Sequence, residues 1–177
     1  ALYPSAPRIR NELVNRSKPS SNAMAAVRTL MTAMAQRPTE HRLGIREFSA
    51  EGGLYASVLE RTGLHGISED GRIGFHAPGT AGEHRLSPLW QVGREFLENR
   101  GCEGMSLEDL FAVWRARPFG VKEGLLPLLG LAFLLSERDQ VSIYLDSVFC
   151  STVSDLLVDR LLQDATSVRL RISNVSE

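Results

Sequence analysis

The sequence contains little cysteine and no long apolar run. Cys102 and Cys150 are its only cysteines, which is too few for a disulfide framework, and their spacing does not suit metal ligands. The longest apolar run, residues 125–135, is interrupted by Pro127 and Gly130 and is shorter than the roughly 18 residues of a membrane span. The first residues do not join a charged start to an apolar block, so no signal peptide is predicted. These features predict a cytoplasmic protein with no membrane partner.

Patterns of catalytic and metal-binding residues are also missing. The histidines have no neighbour at metal-ligand spacing, which favours solvated or capping roles for His41, His65, His76 and His84. The acidic pair Glu108-Asp109 lies where a helix start favours acids, and neither cysteine has an adjacent base to activate it. Residues 79–84, GTAGEH, lack the Lys-Ser/Thr ending of a phosphate-binding loop. We therefore predict that the chain is not an enzyme and uses no metal and no cofactor.

The remaining composition is that of an ordinary globular protein. Of the 177 residues, 43% are hydrophobic and 23% are charged, which excludes a disordered chain and suits one domain or two small ones. The sequence begins at Ala1 rather than at a methionine, and it ends in a polar tail at Glu177. We therefore expect a piece of a longer polypeptide, part of whose chemistry would lie outside these residues.

Basic residues are concentrated in the first third of the chain. The formal net charge is −1, but residues 1–50 carry eight Lys and Arg against three Asp and Glu. A contact with phosphate would be favoured there. The predicted DNA-phosphate contacts, made without reading the base sequence, are Arg8, Arg10, Arg16, Lys18 and Arg28. The alternative is that these side chains lie on solvated helix faces.

Residues 1–82 are predicted to form a basic helical unit that ends in a hairpin. Apolar residues recur at helical spacing over residues 8–16, 21–36 and 54–61, which predicts three helices. The second helix is rich in Ala and Met, which are good helix formers. Residues 64–75 consist of two short apolar runs around an Asp-Gly turn, and this pattern is typical of a β-hairpin.

A single helix is predicted to connect the two halves of the chain. Ser87, as the cap, and Pro88, at the first helical position, mark its start, and Gly101 marks its end. We assign residues 83–104 to this bridging segment and expect Trp90 to pack against one of the two halves.

Residues 105–177 have the order of elements of a winged helix-turn-helix. Ser106 and Asp109 match a capping box at the start of a helix that should stop at Arg117, because the next residue is a proline. A strongly apolar helix is predicted for residues 121–135. A helix followed by a short turn and a second helix, with a hairpin behind them, is the outline of this motif.

Two β-rich runs follow, on either side of a tight turn at residues 146–147. A further helix at residues 155–163 and an alternating strand at residues 168–172 complete the unit. The predicted fold class is therefore mainly α with short β-hairpins. It comprises two helix-plus-hairpin units, the second a winged helix-turn-helix, joined by the bridging helix.

The apolar helix of this unit does not suit base recognition. A recognition helix must present hydrogen-bonding side chains to base edges and cations to phosphates. Within residues 121–135 the only charged side chains are Lys122 and Glu123, and the hairpin turn carries Asp146, which repels phosphate. We therefore favour a scaffold for packing or protein contact over direct base readout by this unit.

Two blocks of the chain resemble a known family. They are residues 3–31, YPSAPRIRNELVNRSKPSSNAMAAVRTLM, and residues 117–149, RPFGVKEGLLPLLGLAFLLSERDQVSIYLDSVF. Both are similar to the region that follows the P-loop ATPase module in large bacterial phage-defence ATP-binding proteins, of the BREX type and related systems. The resemblance implies a helical and winged-helix appendage that contributes to DNA engagement or to assembly with partner subunits. This chain lacks the ATPase motifs, so the resemblance implies no ATP hydrolysis here and assigns no role to a single residue.

Three functions are open at this point. The first is a non-enzymatic winged-helix module of a larger defence ATPase, with DNA, the rest of the ATPase chain or partner subunits as its partners. The second is a freestanding winged-helix transcription regulator that binds DNA, which would need a polar recognition helix. The third is a purely structural protein-interaction domain, which would expose a large apolar patch.

Overall fold

The computed structural model describes residues 2–12 and 15–173, which form a mixture of helix and sheet. Helical residues make up 47% and strand residues 12%, so the prediction of a mainly α chain fits only loosely. The α-helices are α1 (Ser21–Gln36), α2 (Ala50–Leu54), α3 (Ser87–Arg100), α4 (Leu107–Arg115), α5 (Leu126–Ser136) and α6 (Asp155–Gln163). The strands are β1 (His65–Ile67), β2 (Ile73–Phe75), β3 (Met105–Ser106), β4 (Val141–Leu145), β5 (Val148–Cys150) and β6 (Val168–Ile172). No helix of the described chain is both long and apolar enough to cross a lipid bilayer.

Serine side chains start most of the helices. At α4 the predicted capping box is confirmed: Ser106 Oγ accepts from the Asp109 N–H at 3.1 Å, and Asp109 Oδ2 accepts from the Ser106 N–H at 3.0 Å. Serines cap three other helices in a similar way: Ser20 at α1, Ser49 at α2 and Ser154 at α6. The predicted cap at α3 is wrong, because Ser87 is already helical and follows Leu86, whose side chain cannot cap.

Helices α4 and α5 are shorter than predicted. The apolar helix α5 begins at Leu126 rather than at residue 121. The reason is Pro127, which lacks an N–H and fits only the first turn; an earlier start would place it in the helix interior. Helix α4 ends at Arg115, two residues before the position predicted from the proline that follows Arg117.

Residues 8–16 do not form the predicted helix. Residues 8–11 have no regular secondary structure and residues 15–16 form bends, while residues 13–14, part of the predicted apolar face, lie outside the described chain. The Arg8 N–H donates to the His84 carbonyl at 2.8 Å. The Arg8 and Ile9 carbonyls, which would accept the first bonds of such a helix, accept instead from His84 Nδ1 at 3.0 Å and from Asn15 Nδ2 at 2.8 Å, so side chains take the place of the helical partners.

The third predicted helix, residues 54–61, begins earlier and changes its type. Helix α2 starts at Ala50 and continues directly into a π-helical turn, Tyr55–Glu60. The Arg61 N–H donates to the Ala56 carbonyl, five residues back, at 3.0 Å. Turns of this type are rare and are found frequently at functional sites.

Two antiparallel sheets complete the fold. Strands β1 and β2 form the predicted hairpin, with His65 opposite Phe75. The larger sheet has the strand order β3-β6-β4-β5. Its β4–β5 hairpin turns where predicted, at Asp146 and Ser147, whose positive φ angles of 47° and 68° match the twist of a two-residue hairpin. Strand β6 lies between β3 and β4 and pairs with both.

One hydrophobic core includes buried side chains from all three predicted segments, among them Leu30 of α1 and Phe133 of α5. Trp90 of the bridging helix α3 stacks on Trp114 of α4, with ring centroids 5.9 Å apart. Its Nε1 donates to Ser136 Oγ at the end of α5, at 2.9 Å. The bridging helix therefore packs against the second half, while the predicted division into three segments stays a prediction.

Candidate nucleic-acid interface

Arg8 and Arg10 lie with Arg61 around one surface cavity of about 400 Å³. Ser57, Glu83 and His84 also line this cavity. Ile9 is buried in the core, with 6% of its surface exposed, and anchors the segment. Both of its neighbours, Arg8 and Arg10, are exposed. Burial of the one apolar residue therefore leaves two arginines together at the surface.

Hydrogen bonds fix the walls of this arginine cavity. The Arg8 N–H donates to the His84 carbonyl at 2.8 Å, and His84 Nδ1 lies 3.0 Å from the Arg8 carbonyl, to which it donates. Asn11 Nδ2 donates to Ser57 Oγ of the π-helical turn at 2.8 Å, and Ser57 Oγ in turn bonds to the Gly53 carbonyl. Residues 8–11 are thus hydrogen-bonded both to His84 and to Ser57, which line the cavity as well. These bonds fix the shape of the cavity before a ligand binds.

The guanidinium groups of the arginine cavity are not neutralised by carboxylates. Across the described residues, Arg8, Arg10 and Arg61 form no ion pair. The acidic lining residue, Glu83, has a side chain that is 86% exposed and lies 3.7 Å from His84 Nε2. Three cations around one concavity create a positive potential, and each guanidinium offers parallel N–H donors that match phosphate oxygens. The arrangement can bind an anion such as a phosphodiester.

The other three predicted contacts do not line the cavity. Arg28 forms an ion pair with Asp159 of α6, which compensates its charge. Arg16 and Lys18 are exposed and form no ion pair in the described parts of the chain. The structure therefore brings together two of the five residues that charge distribution singled out.

Sequence reasoning misses Arg61, Ser57 and His84. Arg61 lies outside the basic first third of the chain and directly follows the π-helical turn, where it has the appearance of an ordinary cation at a helix end. His84 lies at the start of the predicted bridging segment, residues 83–104, where no neighbouring residue marks it as part of a binding site. No local pattern relates these residues to Arg8, because only the folded chain brings them together.

Helix α5 is a core element, as its composition predicted. Eight of its eleven residues are buried, and Lys122 and Glu123 precede it rather than lie on it. Glu123 pairs with Arg115 of α4 at 2.6 Å. In the hairpin turn, Asp146 pairs with Arg160 at 3.1 Å. These positions leave no polar face on α5 that could reach base edges in a groove.

The buried His65 lines a second, smaller cavity of about 230 Å³, and the expected solvated or capping role is wrong for it. His65 is 2% exposed. Its Nε2 lies 2.8 Å from the Pro38 carbonyl and its Nδ1 lies 2.8 Å from the Tyr55 hydroxyl. Because a carbonyl only accepts, Nε2 carries the proton and Nδ1 accepts from Tyr55. The imidazole is therefore held neutral between two fixed partners.

Burial lowers the pKa of His65 below its ordinary value of 6.5, with smaller contributions from His76 and His41 and a partial offset by the hydrogen bond to Pro38. Burial also raises the pKa of Tyr55 to about 12, helped by Glu60 and opposed by Arg42. Both shifts disfavour the charged form of the buried group. This pair therefore has a structural role, and it stays neutral near pH 7.

We expect the free energy of unfolding to fall as the pH drops below about 6.5. The unfolded chain then binds a proton at His65 that the folded chain excludes, so this stability is complete above the unfolded pKa and is lost below it. One proton gives a slope of at most about 1.4 kcal/mol per pH unit. Urea unfolding at pH 7, 6 and 5 measures the slope. His65→Gln, which cannot titrate, should remove it; an unchanged slope would assign the effect to other groups.

No group of three or more His, Cys, Asp or Glu side chains within residues 2–12 and 15–173 is placed to hold a metal ion. Comparisons of the chain with protein-family models, curated proteins and solved structures find no match. The resemblance to the region that follows the P-loop module of phage-defence ATPases therefore stays a prediction.

Proposed function

We propose that the chain is a non-enzymatic module that engages DNA through its phosphates, without reading base sequence. The observation that carries this proposal is the arginine cavity, in which Arg8, Arg10 and Arg61 lie together and form no ion pair with any carboxylate of the described residues. Contacts to phosphate position a protein on nucleic acid and supply affinity, whereas specificity requires contacts to bases. The cavity offers the first kind of contact, and the buried helix α5 does not offer the second.

A winged helix-turn-helix is the scaffold we propose for residues 105–177. Helices α4 and α5 followed by the β4–β5 hairpin support this assignment. Strand β6 lies between β3 and β4 and separates β3 from this hairpin. In this proposal the helices of the motif serve packing, and the phosphate contacts come from the first 61 residues and the loop before α3.

The resemblance to phage-defence ATPases supports a place for this module in a larger antiviral-defence chain. In that setting the module would hold DNA, or a partner subunit, near an ATPase that is encoded outside these residues. A freestanding transcription regulator is less well supported, because α5 exposes no polar face for base readout.

Neutralising the arginine cavity is expected to weaken DNA binding. The variant Arg8→Gln/Arg10→Gln/Arg61→Gln should reduce affinity for duplex DNA by about 10- to 100-fold at low salt, because three phosphate contacts are lost. The slope of log affinity against log salt should fall by about one per arginine. Fluorescence anisotropy with labelled duplex and single-stranded DNA across a salt series measures both quantities.

A matched control variant distinguishes the effect of the cavity arginines from the effect of removing any three positive charges. Arg46, Arg117 and Lys122 are exposed, and no ion pair involves them in the described chain. Their replacement by Gln removes the same three charges and should change affinity less than threefold. Equal losses in the two variants, or an unchanged salt slope in the cavity variant, would contradict the proposal. A second variant, Arg16→Gln/Lys18→Gln, tests the two remaining predicted contacts that form no ion pair in the described chain; the third, Arg28, pairs with Asp159.

A further inference from the structure

The outward face of the four-stranded sheet carries aromatic and basic side chains in register. Tyr144 of β4 pairs directly with Phe149 of β5 on one side and with Arg169 of β6 on the other, and Ser142 pairs with Arg171. Directly paired residues of antiparallel strands project from the same face. The opposite face is apolar and belongs to the core, as Ile143 and Leu170 show with 0% exposure. On strands β4, β5 and β6 this sheet face, residues 142, 144, 149, 169 and 171, is therefore turned away from the core, whereas Ser106 of β3, which pairs with Arg169, is buried.

The aromatic rings on the sheet face are available and are held in place. Phe149 is 58% exposed, which is unusual for a large apolar side chain in a strand. Its ring meets Tyr144 edge to face, with centroids 5.9 Å apart. The guanidinium of Arg171 lies over the Tyr144 ring, 4.6 Å from its centroid. The exposed ring of Phe149 therefore lies on the edge strand β5, and the guanidinium of Arg171 stacks on Tyr144 of the neighbouring strand β4.

The charge of the sheet face is of one sign. Arg169 Nη2 donates to the Glu103 carbonyl at 3.1 Å, which orients the guanidinium without neutralising it. Neither Arg169 nor Arg171 forms an ion pair with a residue of the described chain. The strand residues that the register places on this face include no Asp or Glu. A partner that offers flat rings and negative charge would complement this face.

We infer that this sheet face binds single-stranded nucleic acid, with an unpaired base stacked on Phe149 and the adjoining phosphates beside Arg169 and Arg171. Sheets with exposed aromatic side chains bind single strands in this way, because every base has a flat π-face and the backbone is anionic. A base inside a duplex is already stacked and cannot reach the ring. The site is separate from the arginine cavity and does not depend on it.

Two variants of adjacent residues test the stacking. Phe149→Ala should reduce affinity for a short labelled oligothymidine by about 5- to 150-fold, the range for loss of one stacked base. Phe149→Trp, which keeps a flat ring, should retain binding. The control is Val148→Ala: Val148 is 67% exposed and lies next to Phe149, but its register with Leu145 places it on the other face. That variant should bind within twofold of the unaltered protein.

Photocrosslinking locates the contact and keeps the two sites apart. An oligonucleotide that carries 5-iodouracil, irradiated with the full chain, should crosslink to the peptide that contains Tyr144 and Phe149. The triple Gln variant of the arginine cavity should give the same crosslink even where its duplex affinity is lost. Crosslinks only elsewhere in the chain, or equal oligothymidine affinity for Phe149→Ala and Val148→Ala, would overturn the inference without affecting the arginine cavity.

Discussion

Trp114→Ala is expected to lower the free energy of unfolding by about 3–5 kcal/mol, the range for removal of a large aromatic side chain from a core. The indole is fully buried, and its Nε1 donates to the Leu89 carbonyl at 3.0 Å. Its ring contacts Trp90, Phe111 and Phe133, with centroids 5.9, 6.3 and 6.0 Å away. Truncation leaves a cavity between α3, α4 and α5. Urea unfolding followed by circular dichroism measures the loss.

Trp114→Phe separates packing from hydrogen bonding at the same position. Phenylalanine keeps an aromatic ring among its neighbours but cannot donate to Leu89, so we expect a loss of about 1–2 kcal/mol. The ordering of the two variants is the test. If Trp114→Ala cost less than about 1 kcal/mol, the three helices would not depend on this ring for their packing, and the core would have to be centred elsewhere.

Gly104→Ala is expected to cost at least about 4 kcal/mol, because strain and steric overlap add at one residue. Gly104 has a φ of +67°, which residues other than glycine rarely adopt. A Cβ atom there would lie 2.2 Å from the Leu170 carbonyl oxygen and 2.6 Å from Arg171 Cγ. Both atoms belong to β6, so the neighbouring strand would have to move away from β3. The midpoint of urea unfolding gives the cost.

Gly101→Ala is the matched control for this prediction. Gly101 lies in the same loop and has a φ of +52°, but no other group lies within 4 Å of the Cβ position. Its replacement should cost about 1–3 kcal/mol from strain alone. If both substitutions lowered the free energy of unfolding equally, β6 would accommodate the added methyl group at no energetic cost. The close approach of the loop to the strand would then not constrain residue 104.

The parts of the fold that could be predicted are those set by neighbouring residues. The capping box of Ser106 and Asp109 and the turn at Asp146-Ser147 depend on groups within three positions of each other. The helix expected at residues 8–16 fails for the opposite reason. Its apolar spacing is helical, but the Arg8 carbonyl accepts a hydrogen bond from His84 Nδ1, 76 positions away. Local periodicity carries no information on such pairing.

The residues of the candidate site also differ in whether the sequence could predict them. An excess of positive charge in the first third of the chain predicts Arg8 and Arg10, but it predicts equally Arg16, Lys18 and Arg28, which do not line the cavity. Arg61 has no such signal; its turn is tied to the first residues by the hydrogen bond from Asn11 to Ser57, 46 positions apart. His65 shows a related limit of sequence reasoning. A single histidine between a leucine and a glycine has no pattern that distinguishes a buried ring with two hydrogen bonds from a solvated one.

Strand β6 is the final element of the described chain and yet lies inside the four-stranded sheet. During synthesis the β4–β5 hairpin can form as soon as it leaves the ribosome, because its strands are adjacent. Strand β3 cannot pair until β6 has been synthesised, because Met105 and Ser106 pair with Leu170 and Arg169, more than 60 residues later. A truncated chain that ends before β6 would expose unpaired backbone on both β3 and β4, and open strand edges of this kind promote aggregation.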